Sequence, residues 1–300
     1  MVKLETPEWE CVLDAQATLA ETPIYAPEDD ALFFSDIGGR TLNRLDLATG
    51  VRRAWPTPDG ISSYALTPDR RHALVAAHTK LVWLNLETGA LADAAAADVD
   101  PAHYQLNDGH CDRTGRFWVG SYRHHHSPEP EGQAKWYRFD ERGFSPQFSG
   151  VTIANGSGWS PDGRTMYVSD RTYWRILAFD YDPATGEASN RRVFATLDEG
   201  EVPDGAAIDT EGGYWVCVYR SGLIRRFRPD GTLDRLIKAP TTHPTVMAFG
   251  GPDLDMSYVT TGRVQADTTA EPLAGGIFRA RLGARGLPEP RFTRVAPPAG

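Results

Sequence analysis

Apolar residues along this chain gather in short runs, and one such run recurs. Its first copy is Ala31-Leu32-Phe33-Phe34-Ser35-Asp36 and its third is Arg116-Phe117-Trp118-Val119-Gly120-Ser121; the others occupy residues 72–77, 165–170, 213–218 and 256–261. The copies begin at 31, 72, 116, 165, 213 and 256, so the steps are 41, 44, 49, 48 and 43 residues. A four-stranded propeller blade takes roughly 40–50 residues. Turn sequences such as Asp112-Arg113-Thr114-Gly115 and Pro161-Asp162-Gly163-Arg164 precede most copies, with Gly or Asp where a hairpin must enter the left-handed backbone region. A further strand follows each copy, at 41–47, 80–86, 135–140, 176–181, 223–228 and 276–281. No long amphipathic helical pattern intervenes. Many short strands with evenly spaced turns predict an all-β chain, and six repeats predict a six-bladed β-propeller forming one domain over residues 1–300. The ring has to close, and residues 9–19 are expected to complete the last blade beside the segment 291–295.

Composition narrows the partners. The net charge of −9 disfavours nucleic acid and anionic membranes, both of which call for clustered basic surface. Cys11, Cys111 and Cys217 are odd in number, widely spaced and without a Cys-x-x-Cys, so no disulfide framework is expected and a reducing cytoplasm is the expected compartment. The acidic N-terminus lacks the apolar core of a signal peptide. No apolar run approaches the roughly 18 residues of a membrane helix. A monomer or weak homo-oligomer is expected.

In a repeat fold, function shows where one structural level departs from the repeat. About ten positions before each recurring strand, where the innermost strand of a blade begins, stand Glu21, Ser62 or Ser63, Asn107, Asn155, Asp204 and residues 243–245. Four of these six levels carry a carboxylate or carboxamide. Asn-Gly and Asp-Gly are also ordinary turn sequences, but four such oxygens at one level converge on one axis. Carboxylates there repel and resist desolvation unless a cation neutralises them. Two carboxylates and two amides suit a hard divalent cation, and the level has no histidine pair or thiolate of the kind a structural zinc site uses.

The same segments resemble the regucalcin/gluconolactonase/luciferin-regenerating-enzyme family. The matching stretches are Leu19-Ala20-Glu21-Thr22-Pro23, Asn107-Asp108-Gly109 with Gly115-Arg116-Phe117-Trp118, and Asn155-Gly156 with Trp159-Ser160-Pro161-Asp162-Gly163. Ser189-Asn190-Arg191-Arg192-Val193-Phe194, Pro203-Asp204-Gly205 and Phe249-Gly250-Gly251-Pro252-Asp253-Leu254 follow in order. The resemblance implies a six-bladed propeller with one divalent cation (calcium, manganese, iron(II), magnesium or zinc) held by Glu21, Asn155 and Asp204. It implies that Asp204 is the general base and that Asn107 contacts substrate or ligates as well. The implied activity is hydrolysis of a small-molecule sugar lactone to the aldonic acid. Gln105 stands where the family often has a substrate-binding arginine, Thr22 where glycine is common and Ser157 where an apolar residue is favoured, so the pocket is expected to differ.

Tyr122, Asp170 and Arg220, with Gln105, are the remaining candidate substrate contacts. Tyr219 is placed beside Arg220. His124-His125-His126 lies in a loop over the same face, read either as a substrate cover or as a solvated loop. Two other functions stay open at this point: a metal-binding propeller acting as a non-enzymatic interaction module, and a hydrolase of other esters or phosphotriesters.

Overall fold

Each turn marked in the sequence reverses the chain into the next strand of the same sheet, so consecutive strands build each blade. The computed structural model describes residues 2–298 and contains six sheets. From the channel outwards, the first blade is Ala20–Ala26, Ala31–Asp36, Thr41–Asp46 and Arg52–Pro56. The second blade begins with Ile61–Leu66, the third with Tyr104–Cys111, the fourth with Ala154–Trp159, the fifth with Val202–Ile208 and the sixth with Pro244–Gly250. Each of these innermost strands touches the next, and the sixth touches the first. The chain is therefore a six-bladed β-propeller.

The recurring run is the second strand of every blade. Ala31–Asp36 is buried along its whole length, because neighbouring blades cover both of its faces, and so it reads as a continuous apolar run instead of an alternating one. Outer strands such as Arg52–Pro56 and Leu91–Ala96 are largely exposed or half-exposed and read as polar. The core is accordingly divided into six apolar clusters, each formed by two adjacent blades; Leu42, Trp55, Tyr64 and Val75, for example, join the first to the second.

Glu10–Leu13 pairs antiparallel with Ile277–Ala280 as the outer strand of the sixth blade, and Leu4–Glu5 adds a parallel strand to the fifth. The C-terminal segment 291–295, expected beside that N-terminal strand, lies elsewhere. The outer edge of Ile277–Ala280 is already taken, and the apolar ring of Phe292 seats between the second and third blades. It is 1% exposed, packed against Trp83 and Phe139 at 5.8 and 5.5 Å. Phe292 N donates to Leu66 O (2.9 Å) and Thr293 N to Gly115 O (3.2 Å), fixing the tail beneath those two blades. Among the described residues no helix is long and apolar enough to cross a membrane.

Candidate active site

Every innermost strand slips register against its neighbour at one level: after Glu21, Ile61, Leu106, Asn155, Pro203 and Pro244. A β-bulge sets two residues against one, breaks the in–out alternation and re-aims a side chain. Repeated six times, it turns Glu21, Asn107, Asn155 and Asp204 towards the axis. The Asn107-Asp108-Gly109, Asn155-Gly156 and Asp204-Gly205 sequences are thus bulges within strands and not turns. At the other two blades the level carries hydroxyls that tie strands together: Ser63 Oγ donates to Asn107 O (2.7 Å) and Thr245 Oγ1 to Ala20 O (2.5 Å).

Two positions show what the bulges demand of the backbone. Thr22 sits at φ 49°, a region β-branched residues rarely enter. Its Oγ1 donates to Ser62 O (3.3 Å) and its carbonyl accepts from Tyr64 Oη (2.7 Å), which holds it there. Gly156 sits at φ 57°, and a Cβ on it would collide with Tyr214 Oη and stand 2.8 Å from Ser169 Oγ and 2.9 Å from Asp204 O. We therefore expect Gly156→Ala to destabilise the protein by about 1–3 kcal/mol and to weaken cation binding, because the Asp204 backbone must give way. Thermal melting beside cation titration checks this; an unchanged affinity would show that the Asp204 strand does not move.

The channel opens at one end into a cavity of about 330 Å³ lined by Glu21, Asn107, Asn155 and Asp204, with Gln105, Tyr122, Tyr219, Arg171 and Arg220 around them. Leu19, Ile37, Ile153 and Val264 give it apolar patches. Farther along the channel a space of only about 60 Å³ remains, covered by Leu287, Glu289 and Pro290 of the tail; it has room for waters but not for a sugar.

The electrostatics of the cavity are dominated by carboxylates without donors. Burial pushes the Glu21 carboxyl well above the usual range, and repulsion from Asp204 and Asp108 adds to it. Burial pushes Asp204 up to about 7, against the pull of Arg171 and with repulsion from Asp108. Among the described residues no hydrogen bond offsets either shift. Asp108, by contrast, is sequestered: Ser157 donates to it from N (2.9 Å) and Oγ (3.0 Å), and His110 meets Ser157 Oγ at 3.1 Å. Asn107 Nδ2 donates to Asn155 Oδ1 (2.8 Å) and Ala154 O (2.9 Å), which orients the Asn155 carboxamide. Among the described residues no three carboxylate, imidazole or thiolate groups converge on one point. What faces the axis is two raised carboxyls and two amides, an all-oxygen set that fits a hard divalent cation, whose charge would offset the burial and repulsion that raise both carboxyls.

Gln105, Tyr122 and Arg220 line this cavity, as Glu21, Asn107, Asn155 and Asp204 do. Asp170 does not. It ends its strand in register with Arg175, is fully buried and pairs with Arg175 Nη2 at 3.2 Å. Asp36, its counterpart in the first blade, likewise serves the backbone, accepting from Leu19 N (3.2 Å) and Gly39 N (3.0 Å). Of the three consecutive histidines only His125 reaches the cavity, packed edge-on to Tyr122; His124 and His126 face each other. Sequence reasoning missed Arg171 and Gln265. Arg171 stands on a one-turn 3-10 helix, Arg171–Tyr173, immediately after Asp170, and nothing in its neighbours distinguishes it from a solvated arginine. Gln265 lies on the loop between Met256–Thr261 and Ile277–Ala280, outside the repeat.

The sequence profile of the "SMP-30/Gluconolactonase/LRE-like region" matches residues 19–263. Regucalcin of Oryctolagus cuniculus is 33% identical over 288 residues, covering 93% of this chain and 96% of that protein. Among solved structures, a calcium-binding protein, regucalcin, from Agrobacterium tumefaciens superposes with a TM-score of 0.91 at 26% identity, over 98% of this chain and 100% of that one. A luciferin-regenerating enzyme superposes with a TM-score of 0.85 at 27% identity, over 95% and 99%.

Proposed function

We propose, because this chain belongs to the SMP-30/gluconolactonase/LRE-like family, that it is a divalent-cation-dependent lactonase opening a sugar lactone to its hydroxy acid. Family membership supports a lactonase-type hydrolase; the cation and the substrate are our reading of the site. The observation that carries it is the pair of donor-free, raised carboxyls, Glu21 and Asp204, beside oriented amides in an open cavity. Glu21, Asn155 and Asp204 would hold the cation, with Asn107 beside them. When bound, the cation supplies polarisation of the lactone carbonyl and stabilises charge on its oxygen.

The chain's own residues do the rest. Asp204 accepts a proton from the attacking water while the water oxygen bonds to the acyl carbon. The acyl–oxygen bond then breaks, and the same proton is returned to the departing ring oxygen, leaving a carboxylic acid and an alcohol. Asn107, Gln105 and Tyr122 face the ring hydroxyls. Leu19, Ile37, Ile153 and Val264 give the rest of the cavity apolar walls.

Cation and proton compete for the same carboxyls. Without a cation, burial pushes Asp204 up to about 7 and Glu21 well above the usual carboxylate range, so cation affinity should rise with pH through about 7. From one such group, affinity at pH 5.5 falls roughly thirtyfold below that at pH 8. The stability consequence has a definite sign. With its folded pKa above the unfolded one, Asp204 favours the cation-free fold fully below pH 4, and that support is lost as pH rises through about 7. The gap in melting temperature between cation-saturated and chelated protein should therefore widen over that window. Calorimetric titration and melting across pH 5.5–8.5 measure both. Proton release from a panel of lactones, with chelator and with divalent cation restored, tests the reaction itself. Cation-replete protein that opens no lactone or ester would refute the enzymatic reading.

A further inference from the structure

The rim of the cavity carries positive charge that opening a neutral lactone leaves unused. Two guanidinium groups line it, Arg171 from the fourth blade and Arg220 from the fifth. These blades also supply Asn155 and Asp204, so the charge lies on one side of the candidate cation position. Arg175, not Arg171, takes the neighbouring Asp170 carboxylate at 3.2 Å. Arg171 consequently stands half-buried at the cavity with no ion pair of its own among the described residues. Arg220 sits at φ 69° at the tip of its hairpin, directly after Tyr219, and its Nη2 donates to Gln265 Oε1. That bond holds its side chain over the cavity, since Gln265 lines it too. Both arginines act on Tyr219, and Arg171 also acts on Tyr122 and Asp204, so their fields meet inside the cavity. The opposing charge, Glu21 and Asp204, is neutralised once a divalent cation is bound. What then remains around the opening is net positive.

We propose that the substrate is a lactone carrying a carboxylate remote from its ring carbonyl, the monolactone of a sugar diacid, with that carboxylate held by the Arg171 fork and Arg220 beside it. The proposal rests on the lactonase reading and adds the substrate class. A planar guanidinium with its fork free pairs bidentately with a carboxylate. Arg220 is tied to Gln265, so the one fork left wholly free among the described residues is that of Arg171, which matches the two oxygens of a single carboxylate; a phosphorylated lactone enters the test as the competing anion.

The test compares cation-replete wild type, Arg171→Gln, Arg220→Gln and Arg171→Lys on three lactones: one ending in a carboxylate, its counterpart ending in a hydroxymethyl group, and a phosphorylated one. Wild type should favour the carboxylate-bearing lactone over the neutral one in kcat/KM by roughly ten- to a hundredfold, the worth of a charge-assisted pair. That ratio should fall with added salt and collapse in Arg171→Gln, mainly through KM, while Arg171→Lys keeps part of it. In parallel, calorimetry measures affinity for the open sugar diacid and the open monoacid, which needs no turnover. A wild-type ratio of one or less, a ratio unchanged in both glutamine variants, or preference for the phosphorylated lactone overturns the proposal. If no lactone is opened, the hydrolase reading fails, and the diacid-to-monoacid affinity ratio still decides whether Arg171 and Arg220 form a carboxylate site.

Discussion

Asp204→Ala is expected to abolish lactone opening and to weaken cation binding together. The residue is proposed in two roles, and the structure puts the requirements of both in one place. Its carboxyl lines the cavity with Glu21, Asn107 and Asn155, where one oxygen can meet a cation while the other accepts a proton from a water held beside it. Loss of a positioned base costs roughly 10²–10⁴ in rate, and loss of ligation lowers occupancy on top of that. Asp204→Asn separates the two roles. Asparagine keeps an oxygen donor but accepts no proton, so excess cation should restore binding while turnover stays low. Glu21→Ala and Asn155→Ala remove donors only, and saturating cation should recover much of their activity. Asn107→Ala should act on substrate and, through its bond to Asn155 Oδ1, on the orientation of that amide. Kinetics at saturating cation, beside cation titration of all five variants, decide the matter. Near-normal turnover by Asp204→Asn would remove the base assignment, and normal cation affinity in every variant would remove the site.

The blades were legible because burial on both faces leaves a plain mark. Phe33, Val75, Val119, Val168, Val216 and Val259 all sit in second strands that neighbouring blades enclose, and their spacing alone counts the blades. The level of Glu21, Asn107, Asn155 and Asp204 was legible for a related reason: a polar residue at the same step of four repeats has to converge on the ring axis. How those residues reach the axis was not legible. The bulges that turn them inward use Asn-Gly and Asp-Gly pairs that read as turns, and one bulge places a β-branched Thr22 at φ 49°, held by bonds from another blade. Asp170 and Arg171 mark the limit most sharply. Adjacent in sequence, they part at the strand end; Asp170 turns into the blade to meet Arg175, and Arg171 takes the cavity. Only the register of the strand with its neighbour decides which goes where, and the pattern of one sequence carries no register. The tail was misplaced for a similar reason, since its anchor is a seam between blades two and three that no local signal announces.

The turn Asp112-Arg113-Thr114-Gly115 leads to the second large effect, on the fold and not on the chemistry. It is a hairpin turn, as its residues predict, but Asp112 also joins two blades. Fully buried, it accepts at Oδ1 from Thr114 N (2.8 Å) and Arg116 N (3.0 Å), and at Oδ2 from Arg116 Nη1 (3.0 Å) and Tyr181 Oη (2.5 Å). Tyr181 belongs to the fourth blade and also accepts from Trp118 Nε1 (3.1 Å). Arg116, itself 2% exposed, donates onward to Pro183 O (3.0 Å) and Ala184 O (2.7 Å) at the next blade's turn. Asp112→Ala leaves that guanidinium buried with only the Asp140 carboxylate, 3.8 Å from its Nε, and leaves Tyr181 without its acceptor. Removing one partner of a buried pair costs about 3–5 kcal/mol, whereas replacing both by apolar groups of similar volume can be close to neutral. We therefore expect Asp112→Ala to lose stability on that scale in urea unfolding, and Asp112→Ala with Arg116→Met to recover a substantial part of it. Cation affinity should stay as in the wild type, because neither residue lines the cavity. A loss below about 1 kcal/mol, the range of exposed pairs, would mean that water reaches Arg116 between the blades and that the pair does not lock them.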